Sequence, residues 1–92
     1  IRSFADRDTE KVWRREPTKR LDTSIHKLAN GKLHLLDAAT TLEALRVPPG
    51  NRLEALKGDR KGQHSIRVND QWRICFRWTD AGAEDVQIVD HH

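Results

Sequence analysis

The sequence predicts an α+β domain in which two to three N-terminal helices pack on one face of a mostly antiparallel sheet. Apolar residues recur at helical spacing in the first half of the chain and alternate with polar residues in the second half. Helices followed by a run of strands are typical of this class, since the helices cover one face of the sheet. At 92 residues, the chain is expected to form a single domain spanning residues 1–92.

The first half is predicted to begin with a short strand at residues 1–4 and to continue as two helices. Asp8 is positioned to cap a helix that ends near Glu16, and Pro17 suits the first turn of the next helix. The second helix is expected to run through Asn30-Gly31, because its apolar stripe resumes in phase beyond the glycine. The stripe consists of Leu21, Ile25, Leu28, Leu35, Leu36 and Ala39.

A third helical turn and a series of strands are predicted for the rest of the chain. Thr40 or Thr41 can cap the turn, and the segment at residues 48–50 ends the helical half. Apolar and polar residues then alternate, which favours strands separated by turns, including a charged turn at residues 58–62. The strands are expected at residues 52–56, 64–68, 72–78 and 86–89.

The pairing of the second and third of these strands follows from their apolar faces. Placing Val68 opposite Trp72 aligns these faces and leaves a loop at residues 69–71. The same register sets Arg67 directly opposite Arg73, where like charges repel each other. A phosphate or other anion between the two guanidinium groups would offset this repulsion. Alternatively, both side chains extend into solvent, or a bulge changes the register.

Positive charge is concentrated in one part of the chain. Residues 46–77 contain eight Lys or Arg and three Asp or Glu, a net charge of +5, whereas the whole chain carries +3. A localised basic surface indicates a polyanionic partner, although a solvated face with no role would give the same count. Cys75 is the single cysteine, and no stretch resembles a membrane span or a signal peptide, so a cytoplasmic location is expected.

The side chains available for chemistry are those of a metal-independent ribonuclease. No metal motif, glycine-rich phosphate loop or Cys-His arrangement is present, so neither a metal nor another cofactor is expected. RNA cleavage can use the substrate's own 2′-hydroxyl if side chains transfer protons and fixed cations stabilise the phosphorane. The candidate cations are Lys57, Arg60, Lys61, Arg67 and Arg73, and the candidate proton-transfer groups are Glu54, His64, Asp90, His91 and His92.

Some of these candidates have a simpler structural interpretation. His92 is the last residue of the chain, and chain ends often fray. Asp90 fits a surface acid as well as a partner for His92. His64 shares a strand face with Ile66, which is also typical of a histidine at the edge of the core. Cys75 fits a small strand residue better than a nucleophile.

Several blocks of the chain together form a distinctive pattern. They are residues 1–4, 36–40, 56–60 (LKGDR), Gly62, 65–74 (SIRVNDQWRI) and 88–90, followed by a terminal histidine. These blocks resemble HigB-type toxins of the RelE superfamily, also called plasmid-maintenance killer proteins. They come in family order and cover essentially the whole chain. Residues 48–54 (PPGNRLE) are shared with the GraT-like branch of the family.

The resemblance implies a RelE-like fold and a ribosome-dependent mRNA interferase that works in the A site of the 70S ribosome. It also implies a cognate helix-turn-helix antitoxin, similar to HigA or GraA. The complex of toxin and antitoxin would repress its own operon, so operator DNA would be contacted only through that complex.

The resemblance places the family's terminal histidine at His92, its neighbouring acid at Asp90, its sheet arginine at Arg73 and its basic turn at Lys57 and Arg60. We expect His92 to take or give the proton, Asp90 to orient the His92 ring, and Arg73 with Lys57 to stabilise the phosphorane. The cations Arg60, Lys61 and Arg67 are expected to bind phosphates.

Two positions depart from the family pattern, and both concern proton-transfer candidates. The position before the terminal histidine is commonly Tyr and is His91 here, whose imidazole can stack on a base and can also titrate. Some members carry a histidine where this chain has Glu54. A slower nuclease is therefore expected, and turnover equal to that of a histidine-bearing homologue would contradict this.

Two other functions compete with the nuclease. The protein could occupy ribosomal RNA and impair translation or ribosome maturation without cutting anything. A DNA-binding regulator ranks lower, because the basic cluster lies in the strand half and no recognition helix stands out.

Overall fold

A computed structural model describes residues 1–91 and confirms an α+β fold with the helices first and a four-stranded antiparallel sheet after them. The helices are α1 (Arg7–Trp13) and α2 (Thr23–Ala38), and short 3₁₀ turns occupy Glu43–Arg46, Pro49–Asn51 and Gly58–Arg60. The strands are β1 (Glu54–Ala55), β2 (His64–Arg67), β3 (Trp72–Thr79) and β4 (Gly82–Asp90), and they lie in chain order across the sheet.

Both helices begin at aspartates other than the predicted cap. The Asp6 carboxylate accepts a hydrogen bond of 2.7 Å from the Thr9 backbone N–H and starts α1. Asp22 caps α2 in the same way, so this helix starts six residues beyond Pro17. The prediction that Asp8 caps α1 was wrong, because its carboxylate accepts instead from the Thr18 hydroxyl in the connecting segment. Thr18 lies in the non-helical segment that connects α1 to α2. Because this segment begins after Trp13, α1 ends before Glu16.

Helix α2 is continuous through Asn30-Gly31, as predicted, and Asn30 joins it to α1. The Asn30 side-chain amide donates hydrogen bonds of 3.0 and 3.3 Å to the backbone carbonyls of Val12 and Trp13. The predicted apolar stripe was partly wrong, because Leu28 is 51% exposed. At 3.6 residues per turn, Leu28 and Leu35 project about 60–80° to one side of Ile25, away from the buried line of the helix. That line consists of Ile25, Ala29, Leu33 and Leu36.

The sheet edges differ from the prediction more than its centre does. The predicted strand at residues 1–4 is a single parallel bridge between Phe4 and Val86. Strand β1 is shorter than predicted because Arg52 adopts a left-handed conformation with φ of 46° after the preceding turn. Strand β4 starts at Gly82, earlier than expected, because the tight turn after Thr79 lets pairing begin at once.

The register of the central strands is the predicted one. Arg67 lies opposite Arg73 and Ile66 opposite Ile74, and a bulge occurs only beyond Cys75, between β3 and β4. The even-numbered residues of β3 therefore face the helices and form the core with them. Leu45 from the 3₁₀ turn at Glu43–Arg46 closes the core, and the Thr41 hydroxyl accepts a bond of 3.2 Å from Ala44 N–H in that turn. Neither described helix is long and apolar enough to cross a membrane.

Candidate active site

The face of the sheet that points away from the helices carries the predicted chemistry. We call it the second face. In register across the four strands it presents Glu54, Ser65, Cys75 and Gln87. Serine and cysteine are small, so the middle of this row forms a depression between longer neighbours. Arg67 and Arg73 form part of the next row on the same face.

The depression is the floor of an open pocket with a volume of about 400 Å³. It combines cationic, polar and acidic groups from the sheet, the 3₁₀ turn and the end of β4. Its lining residues are Leu56, Arg60, Ser65, Arg73, Cys75, Val89, Asp90 and His91. The structure thus brings together Arg60, Arg73, Asp90 and His91 from the predicted set, and it adds Ser65.

Two hollows along α2 are somewhat larger, at about 470 and 540 Å³. The larger one is lined mainly by apolar and lysine side chains, whereas the other is mostly polar and includes Arg15, Glu16 and His26, the one imidazole among the residues that line the two hollows. The His26 ring nitrogen is hydrogen-bonded to the Leu21 backbone carbonyl at 3.1 Å. The pocket on the second face is smaller, and it differs from both hollows in containing a buried guanidinium, that of Arg73.

Arg73 is the most enclosed cation of the site, with 5% of its surface exposed. Its Nη2 donates a hydrogen bond of 2.9 Å to the Arg52 carbonyl and lies 3.7 Å from Glu54 Oε1. Its Nε has no hydrogen-bond partner among the described residues. An unsatisfied buried donor of this kind costs about 1–3 kcal/mol, or more for a charged group. A guanidinium in such a place is prepared for an anionic ligand that supplies the missing acceptor.

Arg67 shows that the two opposed arginines avoid each other. Its guanidinium pairs with Asp70 in the β2–β3 loop, whereas Arg73 turns toward Arg52 and Glu54. In the free protein these partners hold the two charges apart, and the prediction that an anion binds between them stays a prediction. The Arg67 side chain is 32% exposed and lies outside the pocket lining.

The 3₁₀ turn Gly58–Arg60 places Arg60 over the pocket, and two lysines lie beside the turn. The Arg60 guanidinium reaches from Gln63 Oε1 at 3.1 Å to Gln87 Oε1 at 3.2 Å. Since Gln87 lies opposite Cys75, the Arg60 side chain crosses the row of small residues. Lys57 and Lys61 flank this turn and are exposed. Sequence reasoning missed both glutamines, because only the fold shows that they hold the same arginine.

The end of β4 is held against the β2–β3 loop. Gln71 Nε2 donates a hydrogen bond of 3.2 Å to Asp90, and the His91 backbone N–H donates one of 2.6 Å to the Gln71 carbonyl. These bonds fix Asp90 and His91 at the edge of the pocket, where His91 is exposed. The predicted proton-transfer residue His92 lies outside the described residues.

His64 is separated from this group by the alternation of β2. It lies opposite Phe76 on the helix-covered side, with the two rings stacked at a centroid distance of 6.3 Å. This placement agrees with the interpretation of His64 as a histidine at the edge of the core rather than as an RNA contact.

Cys75 forms part of the pocket floor as a neutral group. Burial raises the pKa of its thiol, and the nearby Arg60 and Arg73 oppose this shift only in part. A protonated thiol adds no negative charge beside the two arginines. Among residues 1–91, no three His, Cys, Asp or Glu side chains are grouped so that they could share a metal ion.

The geometry defines a class of protein: a small α+β domain with a cationic pocket on the open side of its sheet and titratable groups at the pocket edge. The model of the HigB-like toxin family, described as RelE-like toxin of type II toxin-antitoxin system HigB, matches residues 2–92. The chain therefore belongs to the HigB-like toxin family, as its sequence blocks had indicated. A toxin of a type II system has an antitoxin as its partner.

Two relatives agree with this assignment. The chain is 42% identical over 89 residues to Toxin HigB-1 of Vibrio cholerae serotype O1, and the match covers 96% of this chain and 94% of that protein. It is 29% identical over 92 residues to Endoribonuclease HigB of Proteus vulgaris, covering 100% of this chain and 99% of that protein.

Proposed function

We propose that this toxin is a ribosome-dependent endoribonuclease that cuts mRNA in the A site and thereby stops translation in the cytoplasm. The observation that carries the proposal is the 400 Å³ pocket in which buried Arg73 and the Arg60 guanidinium meet Asp90 and His91. The name of the Proteus vulgaris relative, Endoribonuclease HigB, agrees with it.

The chemistry that suits this pocket is transesterification by the substrate itself. The 2′-hydroxyl loses its proton to a base and attacks the adjacent phosphorus, and the bond to the 5′-oxygen breaks as that oxygen takes a proton from an acid. The products are a 2′,3′-cyclic phosphate and a 5′-hydroxyl. Fixed cations stabilise the phosphorane between these steps, so the reaction needs no metal ion.

Each predicted residue except His64, which stacks on Phe76, has a role in this proposal. His92 takes or gives the proton and Asp90 orients it, while His91 stacks on a base or assists. Arg73 and Lys57 stabilise the phosphorane, and Glu54 holds Arg73 in the free protein through their contact at 3.7 Å. The outer cations Arg60, Lys61 and Arg67 bind the flanking phosphates.

The deciding experiment uses a purified translation system with one defined mRNA, whose 5′ ends are mapped by primer extension. New ends that need ribosomes and disappear with His92→Ala or Arg73→Ala would support the proposal. Lys27→Ala, on the exposed side of α2, is the matched control and should cut like the original protein. Inhibited translation with intact mRNA would favour the alternative of a non-cleaving binder of ribosomal RNA.

Two further parts of the proposal have their own tests. Protein treated with EDTA and then dialysed should keep its activity in the Mg²⁺ buffer that ribosomes require, whereas lost activity restored by a transition metal would contradict metal independence. For the proposed helix-turn-helix antitoxin, operator DNA should shift in a gel only with the complex and not with the toxin alone.

A further inference from the structure

We propose that Ser65 belongs to the RNA-binding site and that its hydroxyl, together with Arg73 Nε, seats a phosphodiester on the pocket floor. This inference rests on the proposed function for the identity of the ligand as RNA. It deepens that function by naming a residue that the chemistry of the sequence did not single out and by locating the phosphate within the pocket.

The first observation is a pair of unpartnered polar atoms in one pocket. Ser65 Oγ and Arg73 Nε are both buried, and neither has a hydrogen-bond partner among the described residues. Ser65 is 1% exposed, and both residues line the same pocket. Buried polar groups are nearly always hydrogen-bonded, so two such atoms in one pocket indicate a missing ligand.

The second observation is that these atoms are close neighbours on the second face. Ser65 lies opposite Cys75, and Arg73 precedes Cys75 by two residues on the same strand. The two are therefore diagonal cross-strand neighbours, whose Cα atoms are typically about 7–8 Å apart. One phosphate group can span this separation with two of its oxygens.

The chemistry of the two atoms points to an anion as the ligand. Arg73 Nε–H can only donate, and the Ser65 hydroxyl can donate as well, so the ligand must offer two acceptors. The Arg73 and Arg60 guanidinium groups at this pocket favour a negatively charged acceptor. The thiol of Cys75, whose pKa is raised by burial, leaves the floor without a competing anion.

Glu54 is the group that the phosphate would displace. Its carboxylate lies opposite Ser65 in the register and 3.7 Å from Arg73 Nη2, and its side chain is 53% exposed. Neither unpartnered atom has appreciable exposed surface, so a ligand reaches them when a neighbour moves. A half-exposed carboxylate can move into solvent at small cost, and a phosphate would then replace its charge next to Arg73.

Binding is tested without cleavage, using a short fully 2′-O-methylated RNA that cannot be cut. Ser65→Ala should weaken its binding about tenfold, since one hydrogen bond to a charged group is lost. The matched control Ser3→Ala changes an exposed serine, whose hydroxyl accepts from Asp85 N–H, and should bind like the original protein. Equal binding by Ser65→Ala and the original protein would overturn the proposal.

Two further measurements separate a phosphate seat from a merely structural serine. Titration with inorganic phosphate should shift the NMR resonance of Arg73 Nε–H, and an unmoved resonance contradicts the seat. In a double-mutant cycle, Ser65→Ala and Arg73→Lys should lose less affinity together than the sum of their separate losses. Additive losses would show that the two residues do not hold the same group.

Failure of this inference differs from failure of the proposed function. If Ser65-dependent binding of the methylated RNA is seen but ribosome-bound mRNA stays intact, the phosphate site is supported and the nuclease activity is contradicted. If mRNA is cut and Ser65→Ala cuts equally well at subsaturating RNA, the nuclease activity is supported and the phosphate site is contradicted. Thermal unfolding of Ser65→Ala serves as the check on folding, and its midpoint should equal or exceed the original, because an unpaired hydroxyl is removed.

Discussion

The centres of the two faces of the sheet are buried to a similar degree but by different means. On the helix-covered face, Ile66, Ile74 and Phe76 are 0% exposed and pack against apolar helix residues. On the second face, Ser65, Cys75 and Arg73 are 1–5% exposed beneath neighbouring side chains such as Arg60. The same strands thus carry an apolar core on one side and buried polar groups on the other.

The difference shows how β2 and β3 divide stability from function between alternate residues. Apolar burial on the covered face stabilises the fold roughly in proportion to the area removed from water. The unpartnered Ser65 Oγ and Arg73 Nε cost stability in the free protein, and the proposed phosphate would offset that cost. Along β3, substitutions on the covered face should therefore mainly lower stability, whereas substitutions on the second face should mainly affect RNA binding or cleavage.

The largest effect is expected from Phe76→Ala on the covered face. Loss of this fully buried ring should lower the free energy of unfolding by about 3–5 kcal/mol, because both transfer energy and packing are lost. Its neighbour Arg77 has a side chain that is 43% exposed and lies 3.8 Å from Asp85, so Arg77→Ala should cost about 0.5 kcal/mol or less. Urea denaturation measures both, and similar losses would contradict the division between faces.

The next largest effect should distinguish the two opposed arginines. Arg73→Ala should reduce mRNA cleavage about 100- to 1000-fold, the usual effect of losing a fixed group that stabilises a transition state. Arg67→Ala should reduce it about fivefold or less, since Arg67 is partly exposed and paired with Asp70. Cleavage rates in the translation system measure both.

Two results bear on the interpretation of that pair. Arg73→Lys keeps the positive charge but lacks Nε–H. It is the second variant to measure if thermal unfolding shows that Arg73→Ala does not fold. If Arg67→Ala is as damaging as Arg73→Ala in folded protein, the catalytic cation has been placed at the wrong arginine.

The pairing of the central strands could be predicted because the alternation of apolar and polar residues in β2 and β3 determines their register. Pairing the apolar residues of β2 with those of β3 leaves one good register, and it is the one observed, with Arg67 opposite Arg73. The helix starts were missed because several aspartates offer equal capping chemistry in the sequence. Tertiary contacts decide among them, as the Thr18 hydroxyl does by binding Asp8.

The charged residues of the candidate site could be predicted from the sequence, but the small and polar residues that form the pocket floor could not. Lys57, Arg60 and Arg73 stand out by residue type. Ser65 does not, because its role depends on the residues across the strands and on a missing hydrogen bond. Gln87 was missed for a similar reason, since its hydrogen bond to Arg60 spans 27 positions of sequence. The strand face of His64 was predictable from its alternation with Ile66, and the structure places it there, against Phe76.

A smaller effect should be seen in the reactivity of Cys75. Burial raises the pKa of its thiol, so at pH 8 a smaller fraction is thiolate than in an unfolded chain, and reagents reach it poorly. Alkylation by iodoacetamide should be at least about tenfold slower in the folded protein than in urea. Equal rates would mean that the second face is open to solvent at this position and is not buried like the core.

The smallest effect concerns acid and belongs to the helices. Hydrogen bonds from the Ser24 backbone and side chain lower the pKa of Asp22 below its usual 3.8. A lowered pKa in the folded state means that the contribution to stability is present above the unfolded value and is lost as pH falls through the folded one. Asp22→Asn keeps an acceptor for the helix cap but cannot titrate, so its unfolding midpoint should fall less steeply between pH 5 and pH 3. Asp22→Ala removes the cap as well and should be less stable than Asp22→Asn throughout that range. A midpoint for Asp22→Asn that follows the original protein's curve would place the acid sensitivity elsewhere, and the second face would be the next region to examine.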